Sequence, residues 1–177
     1  MTDFNYWKNQ YKDTWGQSSQ RESAIAQYLE EATGRTIKPV GLGAGSTDFL
    51  SGSAADHGHA KGDADLVVVG TTLYLEVTGP LVPFVDIRAD LWVRPDKVEN
   101  ARRNRGSHET WVVHHLPKNN LIRVVHFDDQ FWQALDAGEF PIVTHRIRGV
   151  QERYRAIPAT HSCVQPYSAL IDRLKQV

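Results

Sequence analysis

The stretch Lys61-Gly-Asp-Ala-Asp-Leu-Val-Val-Val-Gly-Thr-Thr-Leu-Tyr-Leu-Glu-Val-Thr78 contains two apolar runs separated by a short polar turn. The runs Leu66–Val69 and Leu73–Val77 have the length and the branched side chains of β-strands, and the Gly-Thr-Thr sequence between them predicts a hairpin. Asp65 directly precedes the first strand, and Glu76 stands among the apolar residues of the second. Because opposite residues of a hairpin lie about 5 Å apart, the sequence predicts two neighbouring carboxylates.

The elements on either side of this hairpin predict an α/β fold, with a central mixed β-sheet flanked by helices. The predicted order is a helix at 20–32, a strand at 36–40, the hairpin, a helix from 95 to about 104, and strands at 110–116 and 121–127. Two additions are expected: an N-terminal aromatic helix over residues 3–15, and a C-terminal extension over 128–177 with further helices and a strand at 142–147. We interpret residues 1–177 as a single domain.

Composition places the chain among ordinary globular proteins, with 41% hydrophobic and 23% charged residues in a length of 177. A formal net charge of −1 argues against a strongly basic coat protein for nucleic acid. Cys163 is the sole cysteine, so an internal disulfide is excluded and a reducing compartment is indicated. No basic leader and no apolar stretch long enough to cross a bilayer is found, so we expect a cytoplasmic protein without a membrane partner.

A third carboxylate, Glu22, lies on the predicted buried edge of the helix at 20–32. Carboxylates that converge on one point repel each other unless a cation neutralises them. Oxygen ligands suit a hard ion such as Mg²⁺ or Mn²⁺, which can polarise a phosphodiester and lower the pKa of a bound water. Glu22, Asp65 and Glu76 are therefore the predicted metal ligands.

On these residues the chain resembles the PD-(D/E)XK nuclease superfamily, which has the restriction-endonuclease-like fold. The resemblance covers roughly residues 20–127 and implies an α-β-β-β-α-β core. The motif acids would be Asp65 and Glu76, and Glu22 would be the upstream helical acid. The resemblance implies a metal-dependent nuclease, acting on DNA or RNA as an endonuclease or exonuclease, with both motif acids binding the metal.

The motif lysine of that family is replaced here by threonine. Thr78 can hydrogen-bond a water, but it carries no positive charge. Lys97, in the first turn of the helix that follows, is the predicted substitute and completes the expected catalytic set of Asp65, Glu76, Thr78 and Lys97. If no cation takes this role, the alternative is a catalytically inactive nuclease fold that serves as a binding or structural module in a protein or viral assembly.

Three further points stay open in the sequence. Asp63, His57 and His59 are alternative metal ligands, and the two histidines also allow an unrelated metal-dependent hydrolase. A homodimer or a larger protein assembly is a further possible partner beside nucleic acid. Five arginines are predicted to contact a phosphate backbone: Arg94, Arg102, Arg103, Arg146 and Arg148.

Overall fold

The described residues of the computed structural model, 20–40, 64–80, 82, 84–147 and 149–177, form an α/β fold. A mixed central sheet, a second small sheet and four α-helices make up this fold. The predicted aromatic helix at 3–15 and the positions of His57, His59 and Asp63 lie outside the described residues. No helix within the described ranges is long and apolar enough to span a membrane.

The elements are numbered here in chain order. The strands are β1 (Ile37–Pro39), β2 (Leu66–Val68), β3 (Leu73–Thr78), β4 (Leu91–Val93), β5 (Glu109–Leu116), β6 (Leu121–His126), β7 (Ile142–Ile147), β8 (Val150–Ile157) and β9 (Val164–Pro166). The helices are α1 (20–33), α2 (Pro95–Asn104), α3 (Asp129–Asp136) and α4 (Tyr167–Gln176), and a short 3₁₀ helix covers Pro117–Asn119.

The central sheet has the strand order β1-β2-β3-β5-β6-β9. Its neighbours are antiparallel except for β3 and β5, which are parallel. A parallel pair requires a long crossover connection, and here the crossover contains β4 and α2. The crossover therefore carries α2 back across the sheet and brings the start of this helix close to the hairpin of β2 and β3.

The small sheet has the order β4-β8-β7 and is antiparallel throughout. The predicted strand at 142–147 is confirmed as β7, whereas β8 and β9 were not predicted. The sequence of β8, Val-Gln-Glu-Arg-Tyr-Arg-Ala-Ile, is too polar to give a strand signal. Its first six side chains are all at least partly exposed, so the sequence shows no alternation of apolar and polar residues before Ala156 and Ile157, which are buried. The C-terminal region thus supplies strands to both sheets.

The two faces of the central sheet pack against different helices. On one face, α1 and α4 contribute Ile25, Leu29, Leu170 and Leu174, which pack with Leu75. On the other face, side chains from α2, α3 and the small sheet form a second core, whose members include Val98, Ala101, Val112, Val125, Phe131 and Ile157. Because side chains alternate along a strand, the burial of Leu73 and Leu75 in the first core directs Glu76 and Thr78 to the second face.

Local signals account for the helix ends that the sequence predicted. Asp128 is the N-cap of α3, and its carboxylate accepts a hydrogen bond of 3.0 Å from the amide of Phe131. Gly34 follows α1 with a φ of 72°, a left-handed conformation that favours glycine. Pro95 occupies the first turn of α2, where its missing N–H removes no helical hydrogen bond. The start of α2 at Pro95 places Lys97 in the first turn of this helix.

Candidate acidic site beside the hairpin

Asp65 and Glu76 lie side by side across the hairpin. The register pairs Leu66 with Leu75, and its continuation by one residue places Asp65 opposite Glu76. The amide of Asp65 donates to the carbonyl of Leu75 at 3.1 Å, and Oδ2 of Asp65 accepts from the amide of Val77 at 2.9 Å. The carboxylate of Asp65 is therefore held against the backbone of β3, next to Glu76.

Lys97 joins the two acids. Its Nζ atom lies 3.4 Å from Oδ1 of Asp65 and 2.9 Å from Oε2 of Glu76. The exposed fraction of the side chain is only 13% for Lys97, 17% for Asp65 and 10% for Glu76. Water therefore screens these charges much less than at an open surface. The structure thus brings the predicted substitute lysine to the two motif acids.

Glu22 adds a third carboxylate from α1. It is buried, although it lies near the start of the described part of the helix. The pKa of Glu22 is raised to about 7, chiefly by burial and also by the negative charge of Asp65, while Lys97 acts in the opposite direction. Glu22 is therefore close enough to sense both groups and can change its charge near neutral pH.

The charges of the site do not balance. Burial raises the pKa of Glu76 well above its ordinary value, and Asp65 adds to this, while Lys97 and Arg94 lower it. Burial acts to lower the pKa of Lys97, but the negative charges of Glu76 and Asp65 outweigh it and raise this pKa. Three carboxylates thus face one ammonium, and the cluster, defined as Glu22, Asp65, Glu76 and Lys97, favours an added cation or a proton.

The donor set of this cluster fits a hard metal ion in its chemistry, because all its acidic groups offer oxygen. Lys97, however, stands between the two acids. Oε2 of Glu76 is buried and lies 2.9 Å from the ammonium of Lys97. Within the described ranges, no three acidic, histidine or cysteine side chains are grouped as metal ligands. An ion bound by Asp65 and Glu76 would therefore compete with Lys97.

Thr78 occupies the position of the family's motif lysine but points to another partner. Its hydroxyl donates to the carbonyl oxygen of Trp92 at 3.5 Å, which links β3 to β4. This contact ties the end of β3 to the small sheet. The predicted contact between Thr78 and an attacking water stays a prediction.

The four described arginines of the predicted set, Arg94, Arg102, Arg103 and Arg146, have different surroundings. Arg102 pairs with Asp136 and lies over the ring of Trp132, with 5.4 Å from Cζ to the ring centroid, so it joins α2 to α3. Arg103 and Arg146 are exposed, and Arg148 lies outside the described residues. Arg94 is the described member of the set whose charge acts on Glu76, which places it nearest to the acidic cluster in electrostatic terms.

A buried pair that the sequence analysis did not predict, Arg123 and His114, lies on the same face of the central sheet as Glu76 and Thr78. Arg123 of β6 is 5% exposed and donates to the carbonyls of Ile87, at 2.8 Å, and Ala89, at 3.3 Å. It also lies 3.3 Å from Nδ1 of His114, the residue paired with Thr78 in the register of β3 and β5. The signal was available, because a charged residue within the apolar strand Leu-Ile-Arg-Val-Val-His is the same anomaly that drew attention to Glu76.

His114 gives this pair a measurable pH dependence. Burial lowers the pKa of His114 to about 3 from 6.5, with the charges of Arg123, Arg21 and His115 as further causes. Between these two pKa values the unfolded chain binds a proton that the folded chain does not. The contribution of His114 to stability is therefore complete above about pH 6.5 and falls as the pH drops toward 3, by up to about 1.4 kcal/mol per pH unit.

We expect His114→Asn to flatten this acid limb, because asparagine keeps an acceptor for Arg123 but does not titrate. The measurement is the free energy of urea unfolding at several pH values between 3.5 and 7. His145→Asn, at an exposed histidine of β7, is the matched control and should keep the wild-type slope. Equal slopes in all three proteins would show that His114 is not held neutral by the fold.

Comparison with profiles of known protein families and with curated protein sequences gives no match to this chain. The features that bear on its function are therefore the geometry of the acidic cluster and the topology that assembles it.

Proposed function

We propose that the protein is a metal-dependent nuclease that hydrolyses phosphodiester bonds in nucleic acid. The observation that carries this proposal is the meeting of Asp65, Glu76 and Lys97, two acids from adjacent strands and one ammonium from the following helix. Such a set contains both oxygen ligands for Mg²⁺ or Mn²⁺ and a fixed positive charge. These are the two components that phosphodiester hydrolysis needs to stabilise the negative charge of its transition state.

The topology supports the same assignment. The order α1-β1-β2-β3-α2-β5 follows the α-β-β-β-α-β core of the restriction-endonuclease-like fold, with β4 as an insertion before α2. Asp65 directly precedes β2 and Glu76 lies within β3, where that resemblance expects them. We propose membership of the PD-(D/E)XK superfamily as a divergent member, in which the motif lysine has moved from position 78 to position 97.

Each residue of the cluster has a distinct proposed role. Asp65 and Glu76 hold the ion, and Glu22 supplies a third oxygen ligand. When bound, the ion lowers the pKa of a bound water and polarises the phosphodiester. Lys97 orients the attacking water and compensates the charge that develops on the phosphate oxygens. Arg94, at the N-terminal end of α2, is placed to contact a neighbouring phosphate.

A specific observation favours one other function. Lys97 already neutralises part of the acidic pair, and the hydroxyl of Thr78 is bonded to Trp92. Acids that are already partly neutralised, beside a threonine that is already hydrogen-bonded, would also suit a protein that has kept the nuclease fold and lost its catalytic activity. In that case the chain would act as a binding or structural module in a protein or viral assembly.

Glu76→Gln is expected to reduce cleavage by about 100-fold or more, the order of loss when one electrostatic stabiliser is removed from an active site. The assay uses single- and double-stranded DNA and RNA with Mg²⁺, Mn²⁺ or EDTA. Glu99→Gln, an exposed acid on α2, is the matched control and should cleave like the wild type. Absence of cleavage in every condition, with no change of melting temperature on adding metal, would refute the nuclease and favour the binding module.

A further inference from the structure

The outer face of the small sheet carries three stacked rings. The ring centroid of Trp92 lies 4.1 Å from that of His145, with an angle of 24° between the planes. The centroid of Tyr154 lies 5.4 Å from that of Trp92, at 21°. We call these three residues, one from each strand of the sheet, the aromatic row. Trp92 alternates with Leu91 and Val93, which point into the core, so the row lies on the opposite face.

The aromatic row is partly open to solvent. His145 is exposed, and Trp92 and Tyr154 are each partly exposed. By contrast, Phe131 and Phe140, which also stack on each other, are fully buried in the core. Stacked rings that are kept at a surface offer an apolar, polarisable face to a flat partner.

Two features connect the aromatic row with the acidic cluster: a hydrogen bond of Thr78 and the charge of Arg94. Trp92 accepts the hydrogen bond of Thr78, two residues beyond Glu76 on β3. Arg94 is two residues beyond Trp92, and burial raises the pKa of both Glu76 and Tyr154 while the charge of Arg94 opposes both shifts. Arg94 therefore lies within electrostatic reach of the carboxylates on one side and of the aromatic row on the other.

Arg94 is able to change partner. Its side chain is 54% exposed, and its ion pair with Asp96, at 2.8 Å, is open to solvent. Exposed ion pairs of this kind contribute little to stability, so a phosphate can replace the carboxylate at low cost. A phosphate on Arg94 would therefore lie within electrostatic reach of both the acidic cluster and the aromatic row.

We propose that the aromatic row stacks against an unpaired base next to the phosphodiester to be cleaved, with Arg94 on an adjacent phosphate. This inference rests on the proposed nuclease function and specifies its substrate as single-stranded nucleic acid, or a strand with unpaired nucleotides. In a duplex, the faces of each base are occupied by its neighbours and are not available to a protein ring. Stacking on aromatic side chains is the means by which proteins bind single strands with little sequence preference.

The test measures binding separately from cleavage. In the full chain carrying Glu76→Gln, the Kd for labelled single-stranded and duplex oligonucleotides is measured by fluorescence anisotropy at 0.15 M salt, because affinity depends on salt. Adding His145→Ala should weaken single-strand binding about 5- to 100-fold, the range for loss of one stacked base, and leave duplex binding unchanged. His145→Tyr should restore the single-strand affinity.

The matched control is His108→Ala. His108 also stacks on an aromatic residue, Tyr74, with centroids 4.3 Å apart, but Tyr74 is at the other end of β3 from Thr78. If wild-type protein cleaves nucleic acid and His145→Ala binds single strands as tightly as His108→Ala does, the aromatic row is not the base-binding surface. If wild-type protein neither cleaves nor binds any oligonucleotide, the proposed function itself is wrong and the inference falls with it.

Discussion

Replacing Lys97 by methionine is expected to destabilise the protein by about 3 kcal/mol at pH 8, the lower end for removal of one partner from a buried ion pair. The side chain of methionine fills similar space, so the loss reports on charge. Without the ammonium, Glu22, Asp65 and Glu76 repel each other in a poorly solvated site. The penalty is limited because Glu22 and Glu76, whose pKa values are already raised, can take up protons.

Two conditions should reverse this loss. Lys97 lowers the pKa values of Glu22 and Glu76, which burial has raised above the unfolded value of 4.5. Its removal raises both pKa values further, so the folded variant binds more protons than the folded wild type and gains more stability as the pH falls toward 4.5. Lys97→Met should therefore approach wild-type stability in acid. Because the ion would no longer compete with the ammonium, Mn²⁺ or Mg²⁺ should raise the melting temperature of the variant more than that of the wild type.

Chemical unfolding at pH 5 and pH 8, with and without metal, measures both effects. Lys175→Met is the matched control, since Lys175 is exposed on α4, and it should behave like the wild type in each condition. A Lys97→Met protein as stable as the wild type at pH 8 without metal would show that Lys97 does not neutralise the acids.

Gly79→Ala is expected to cost about 3 kcal/mol or more of folding free energy, since a strained backbone and an overpacked contact each contribute about 1–3 kcal/mol. Gly79 has a φ of 149°, and a Cβ atom there would lie 2.2 Å from the carbonyl oxygen of His115. The same atom would lie 3.2 Å from the guanidinium of Arg21, which donates to the carbonyls of Gly79 and Pro80. Because Gly79 directly follows Thr78, relief of the clash would also displace the end of β3.

Two other glycines separate the causes of this loss. Gly138 has a φ of 79° with open space around a Cβ, so Gly138→Ala tests backbone strain without a clash. Gly106 has open space and no left-handed φ, so Gly106→Ala should be close to neutral. Thermal or urea unfolding ranks the three variants. A Gly79→Ala protein no less stable than Gly138→Ala would show that the approach to His115 is not tight.

The parts of the fold that sequence could predict are those with a strong local signal. The hairpin, α2 and β7 depend on apolar runs and on Pro95, and each lies within a residue or two of its predicted bounds. The polar strand β8 lacks such a run and becomes a strand only through pairing with β4 and β7. The short β9 likewise becomes a strand only through its antiparallel pairing with β6.

The same limit applies to the site. The alternation of β3 and the cross-strand distance were enough to predict that Asp65 and Glu76 meet. Lys97, in the first turn of α2, was selected through the resemblance to the nuclease superfamily, in which the following helix packs beside the motif strands. The contact of Thr78 with Trp92 could not be predicted, because it depends on where the inserted strand β4 lies. The pairing of Arg123 with His114 and its bonds to the loop at Ile87 and Ala89 are tertiary contacts of the same kind.

The crossover that delivers Lys97 also makes the cluster sensitive to partial opening of the native state. The two acids belong to one hairpin, but the ammonium comes from 32 residues beyond Asp65, on a separate helix. A fluctuation that lifts α2 while the sheet stays intact would separate the charges without global unfolding. A cation on the two acids, or their protonation, takes away the partners of Lys97. The protection of the α2 amides against hydrogen exchange, corrected for the intrinsic effect of pH, should therefore fall in either condition, so the dynamics of one helix would report the charge state of the site.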